Sequence, residues 1–160
     1  MIGWDNFFVA IVGAAAALTG LIFVGVSINL SRILSLSKIT SRALESLILL
    51  LNVAIIGALC LVPQQSSFLL GIEILSIGII VWGITLKLDI DLIRFSESSH
   101  KKHSWQNILF SHLAVLPYVI AGILTLSSGF GGIYWLIPGI IFSFIKALID
   151  AWVLLVEINR

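Results

Sequence analysis

Five apolar stretches, at residues 6–30, 43–62, 68–88, 107–127 and 133–156, are each long enough to cross about 30 Å of hydrocarbon as a helix rising about 1.5 Å per residue. Almost nothing else is left over to build a fold from. Hydrophobic residues make up 59% of the chain and charged residues 11%, and the mean hydropathy is +1.16. An ordinary soluble domain carries about 25% charged residues. A water-soluble fold of 160 residues could not hide so much apolar surface, and large open patches would face water. The expected solvent is therefore lipid, and no soluble domain is expected. Period-2 alternation, the mark of a membrane β-strand, is absent from most of the length. Only residues 86–95 approach it, and because they extend the third stretch they read as a helix continuing into water, with a short strand as the alternative. The fold class is an all-α polytopic bundle of five transmembrane helices.

The connections set the orientation. Segments 63–67 and 128–132 carry no charge, whereas Arg32, Lys38 and Arg42 follow the first stretch and Lys87, Arg94, Lys101 and Lys102 lie around the end of the third. All charged connections fall on one side, which the positive-inside rule makes cytoplasmic, so the N-terminus is expected outside and the C-terminus inside. The first thirty-one residues hold no Lys or Arg, so no signal-peptide n-region is read and the first stretch is expected to be retained. Trp4, Tyr134 and Trp135 at outer ends, with Trp105 and Trp152 near inner ones, suit interfacial belts.

Lipid gives helices no hydrophobic drive to associate, so close contact falls to small residues. Gly139, Ser143, Ala147 and Ala151 recur every fourth residue in the fifth stretch, and Gly13, Ala17, Gly20 and Ser27 share a face in the first. These two helices are expected to be central, packing within the chain or on copies of it.

Ionisable groups inside hydrocarbon carry the most information, since one charge at mid-bilayer costs from about 3 to more than 10 kcal/mol. Glu73, Lys146 and Asp150 qualify. Lys146 and Asp150 are four apart, so they share a helix face and can neutralise each other. Glu73 heads a row with Ser76, Ile80, Gly83, Lys87 and Asp91. An axial offset of roughly 12 Å keeps Glu73 from Lys146, which leaves it needing a hydroxyl, water or another subunit. Asn52, His112, Tyr118, Thr19 and Asn29 are possible supporting groups, each also readable as interhelical glue. Pro117 and Pro138 free backbone carbonyls, with a kink expected at Pro117.

Other chemistry is sparse. Cys60 is alone and forms no internal disulfide, reading as a packing residue. His100 and His103 near Glu97 could bind a metal only with a third ligand, and read better as a basic loop against anionic headgroups. The sequence contains no phosphate loop, nucleophile elbow or zinc-protease motif. Net charge of +1, without a clustered basic patch, argues against nucleic acid. Neither an enzyme nor a cofactor is expected.

The segments Asp5-Asn6-Phe7-Phe8-Val9-Ala10, Gly13-Ala14-Ala15-Ala16-Ala17-Leu18-Thr19-Gly20 and Tyr134-Trp135-Leu136-Ile137-Pro138-Gly139, with Ala151-Trp152 near the end, resemble a largely uncharacterised family of small bacterial multi-span membrane proteins. Some of its members carry an automatic label as modulators of the membrane protease FtsH. The resemblance covers both ends strongly and the middle loosely, implies a bacterial inner membrane, and carries over no catalytic or ligand residues.

Two function classes follow. One is a homo-oligomeric ion or small-solute channel or permease, with Glu73 an outer cation or proton site and Lys146 with Asp150 a charge gate or lock. The other is a non-enzymatic regulator or interaction partner of a membrane complex such as a membrane protease, docking through its small-residue faces.

Overall fold

The computed structural model describes residues 3–35, 37–94 and 101–158, with side chains at 3–35, 39–91 and 107–156. The described residues form helices α1 (Asp5–Ile28), α2 (Leu30–Ser35), α3 (Ser37–Cys60), α4 (Ser67–Arg94), α5 (Lys101–Ser128) and α6 (Leu136–Ile158), with a 3-10 segment at Gly129–Trp135 between the last two. No strand occurs among the described residues, and the alternating stretch from 86 is helical as far as Arg94.

Each break has a local cause. Asn29 ends α1 by donating its side-chain amide to the Gly25 carbonyl at 3.2 Å, taking up a terminal acceptor. Pro63 and the positive φ of Gln64, 56°, turn the chain after α3. Gly129 closes α5 at φ 70°, the left-handed conformation that glycine adopts without a Cβ clash. Pro138 sits in the first turn of α6, where its missing donor costs no helical hydrogen bond. Pro117 is buried inside α5, which continues through it.

Four stretches are long and apolar enough to cross a membrane: Asp5–Ile28, Ile39–Cys60, Ser67–Asp91 and Asn107–Val156. The last doubles back at the 3-10 segment, so α5 and α6 lie side by side. The Tyr118 hydroxyl meets the Ser143 hydroxyl at 3.2 Å, and a Cβ on Gly139 would stand 3.1 Å from the Tyr118 ring.

The central helix is α3, which packs against α1, α2, α4 and α6. Its apolar span is 56% buried against 11% for α1, so of the two arrangements expected for the first helix, a central place within the chain is corrected. The reason lies in which face of α1 packs. Phe8 and Ala15 are buried, with Trp4, Phe7 and Ile11 beside them, and Val12 fills the space over Gly57 of α3. Gly13, Ala17 and Gly20 point the other way and are exposed. In α6, by contrast, Gly139, Ser143 and Ala147 are all buried within the chain.

Among the long helices, a close backbone approach joins α4 to α5. A Cβ on Gly122 would fall 2.7 Å from the backbone of Leu75, and one on Gly78 would fall 3.3 Å from the Val119 nitrogen. Glycine lets these two helices meet without intervening side chains. At the end of the bundle where α1 begins, Trp4 packs on Phe7, Phe8 and Tyr134, the last at a ring separation of 5.1 Å. The buried charges gather at the opposite end.

Candidate functional site

Lys146 projects from α6 into the space between α3 and α5. Its ammonium pairs with Asp150 one turn along its own helix, as the four-residue spacing requires, and also with Glu45 Oε2 of α3 at 3.0 Å. Relative exposure is 1% for Lys146, 1% for Glu45 and 0% for Asp150, so all three charges are removed from solvent. Ser111 of α5 donates its hydroxyl to the other oxygen of Glu45, and Arg42 approaches Asp150 Oδ1 at 4.0 Å with its side chain 16% exposed. Two carboxylates therefore clasp one ammonium, and a second cation touches the rim.

Asp89 of α4 continues the cluster. It lies within electrostatic reach of Glu45, Lys146 and His112. Asn107 donates to its Oδ1 at 3.5 Å, and His112 Nδ1 stands 3.8 Å from its Oδ2. One turn earlier on the same helix, Thr85 is buried with a hydroxyl that has no hydrogen-bond partner among the described residues. The polar groups thus come from α3, α4, α5 and α6 and meet at the bundle end where α3 begins and α6 finishes.

Glu45, Arg42 and Asp89 are not among the groups expected inside the bundle. Arg42 and Asp89 border the apolar stretches, and Glu45 lies just inside one, so hydropathy assigns them to the aqueous edge. The helices extend further, from Ser37 in α3 and to Arg94 in α4, which carries these side chains into the packed interior. A readable signal was Glu45 itself, a carboxylate within the 43–62 stretch.

The other expected groups are dispersed. Glu73 is half-buried towards the aromatic end, where Gln65 donates its amide to one carboxylate oxygen. Ser76, Ile80, Gly83 and Lys87 lie on the open face of α4, and Asp91 is half-buried. Asn52 is buried on α3, and neither atom of its amide has a hydrogen-bond partner. Glu97, His100 and the side chain of His103 lie outside the described residues.

Chemically, this cluster can hold and exchange charge. Among the described residues no group of His, Cys, Asp and Glu is placed to hold a metal ion. An unpaired charge buried this completely would cost several kcal/mol, and the mutual pairing of Glu45, Lys146 and Asp150 offsets much of that. No family model, no curated protein and no solved structure matches the chain, so its function is read from this cluster.

Proposed function

We propose that the chain is an integral protein of a bacterial inner membrane that crosses the bilayer five times, N-terminus outside and C-terminus inside, and works as a homo-oligomeric ion or small-solute permease. The observation that carries this reading is the Lys146 ammonium shared by two buried carboxylates within helices long and apolar enough to cross a membrane. Packing alone is served as well or better by apolar side chains of similar volume, so buried charges of this kind mark ion or proton paths. The Lys146 cluster is then the charge-sensitive centre, and Glu73 with Gln65 is a cation or proton site near the outer end. The orientation rests on the charge contrast between the connections. A periplasmic reporter fused after Gln64 or Gly131 should be active and one fused after Ser99 or Arg160 silent, and the opposite pattern reverses it.

Transport is tested in liposomes containing the purified chain, with internal pH and cation dyes and an imposed potential. Flux should exceed that of empty liposomes and fall at least tenfold in Glu45→Gln, which keeps the Lys146–Asp150 pair. Absence of flux in the parent under proton, sodium and potassium gradients would remove the permease reading.

The second reading, a regulator of a membrane protease or similar complex, is favoured by the open face of α1. Cβ atoms at Gly13 and Gly20 would meet nothing within 4 Å, so a partner helix could approach that backbone closely.

A further inference from the structure

Among the described residues, the charges meeting at the buried end do not balance. Glu45, Asp89 and Asp150 are three potential anions, against the two permanent cations Arg42 and Lys146. A net charge of minus one in a low-dielectric interior draws in one compensating cation. The groups facing Asp89 are Glu45 from α3, Lys146 from α6, and His112 and Asn107 from α5, while Lys87 on α4 itself is exposed and Asp91 half-buried. Glu45 and Asp91 can lose their charge by taking a proton, whereas His112, the partly exposed base beside Asp89, can gain a positive one.

The ring geometry shows where that proton goes. His112 Nδ1 is 2.9 Å from the carbonyl oxygen of Ile108, which can only accept, so Nδ1 carries the hydrogen and Nε2 holds the lone pair of the neutral ring. A proton arriving at Nε2 makes the imidazolium, whose positive charge then sits beside Asp89 Oδ2, 3.8 Å from Nδ1. That oxygen is buried and accepts no hydrogen bond among the described residues, an arrangement that is costly for an ionised carboxylate without a cation at hand. The His112 side chain is 24% exposed and that of Asp89 3%, so the ring is the accessible member and the carboxylate the buried one.

We propose that His112 and Asp89 form a proton-binding site that loads the Glu45–Lys146–Asp150 cluster with one proton and brings it to neutrality. The ligand is the proton, taken by His112 and held electrostatically by Asp89. As the coupling ion it rests on the permease reading; as a bound ligand it does not.

The parent chain in lipid nanodiscs is titrated between about pH 8 and about pH 5 while ring-nitrogen NMR and infrared difference spectra are recorded. His112, distinguished from His100 and His103 by its loss in His112→Gln, should take up one proton. In Asp89→Asn a smaller share of the ring should be protonated at each pH of the range. The parent's infrared spectrum needs no folded variant and should show imidazolium bands rising over the same range. An His112 ring that stays neutral throughout, a ring indifferent to Asp89→Asn, or a carboxylate signal that follows sodium at fixed pH would each overturn the proposal. Proton uptake without flux in liposomes would leave this site standing and remove the permease reading. Flux with the His112 ring neutral would do the reverse.

Discussion

Lys146→Met is expected to be the most damaging of the conservative replacements in the charge cluster, with a loss of about 3 to 5 kcal/mol. Methionine fills similar volume, so the loss comes from charge. Without the ammonium, the Glu45 and Asp150 carboxylates stay buried, and Arg42, 4.0 Å from Asp150, is the nearest remaining cation. Asp89, within electrostatic reach of Glu45, adds a third negative charge. Asp150→Asn should cost less, about 1 to 3 kcal/mol, because Lys146 keeps Glu45 at 3.0 Å. In an isolated Lys–Asp pair the two changes would cost alike. The Lys146→Met loss should also deepen as pH rises, since the stranded carboxylates can be neutralised only by protons from solution. Thermal unfolding in detergent, followed by fluorescence of the five tryptophans, gives the ranking. A loss in Asp150→Asn equal to or greater than that in Lys146→Met would show that Glu45 does not share the ammonium.

The helical class, the apolar stretches and the Lys146–Asp150 pair were legible in the sequence because each is a local property. Hydropathy over a window needs no tertiary knowledge, and a four-residue spacing places two side chains on one face of a helix. The role of Glu45 was not legible in this way. It lies 101 residues from Lys146, and nothing in either local pattern reports the other. Asp89 was hidden by its place just past an apolar stretch, where a charge is ordinarily solvated.

Small residues show the same boundary between local and tertiary information. Periodicity marks a smooth face but not what covers it. The stripe of α6 is buried inside the chain, whereas the small-residue face of α1 is open because aromatic Phe8 and its neighbours occupy the packed side. The α4–α5 contact sets Gly122 against Leu75 with Gly71 and Gly78 on either side, and their seven-residue spacing on α4 marks a shared face without naming the helix that covers it. Glu73 takes its partner from the connection before α4, where Gln65 looked like an uncharged turn residue.

A rescue series should show how many members the cluster has, with effects as large as the Lys146→Met loss itself. Were Lys146 and Asp150 an isolated pair, Lys146→Met combined with Asp150→Leu would recover most of the stability lost by either change. With Glu45 in place the double variant still buries one carboxylate, held by the Ser111 hydroxyl but by no cation. It should therefore retain a deficit of at least about 2 kcal/mol, in the range reported for leaving one buried charge uncompensated. Adding Glu45→Met removes the last of the three charges. Ser111 can then give its single hydroxyl hydrogen to the Asn107 carbonyl, 3.0 Å away, and Arg42 can turn its partly exposed guanidinium towards the aqueous boundary. The triple variant should return to the stability of the parent or exceed it by about 1 to 4 kcal/mol, as apolar replacements of buried ion clusters do. Full recovery in the double variant would reduce the cluster to a pair, and a further loss in the triple would show that the three charges do not act together. Because the triple variant is expected to fold, it also separates stability from transport: its flux in liposomes should be lost. Undiminished flux would move the ion path away from Lys146 and leave Glu73 and the His112–Asp89 pair as the remaining intramembrane candidates.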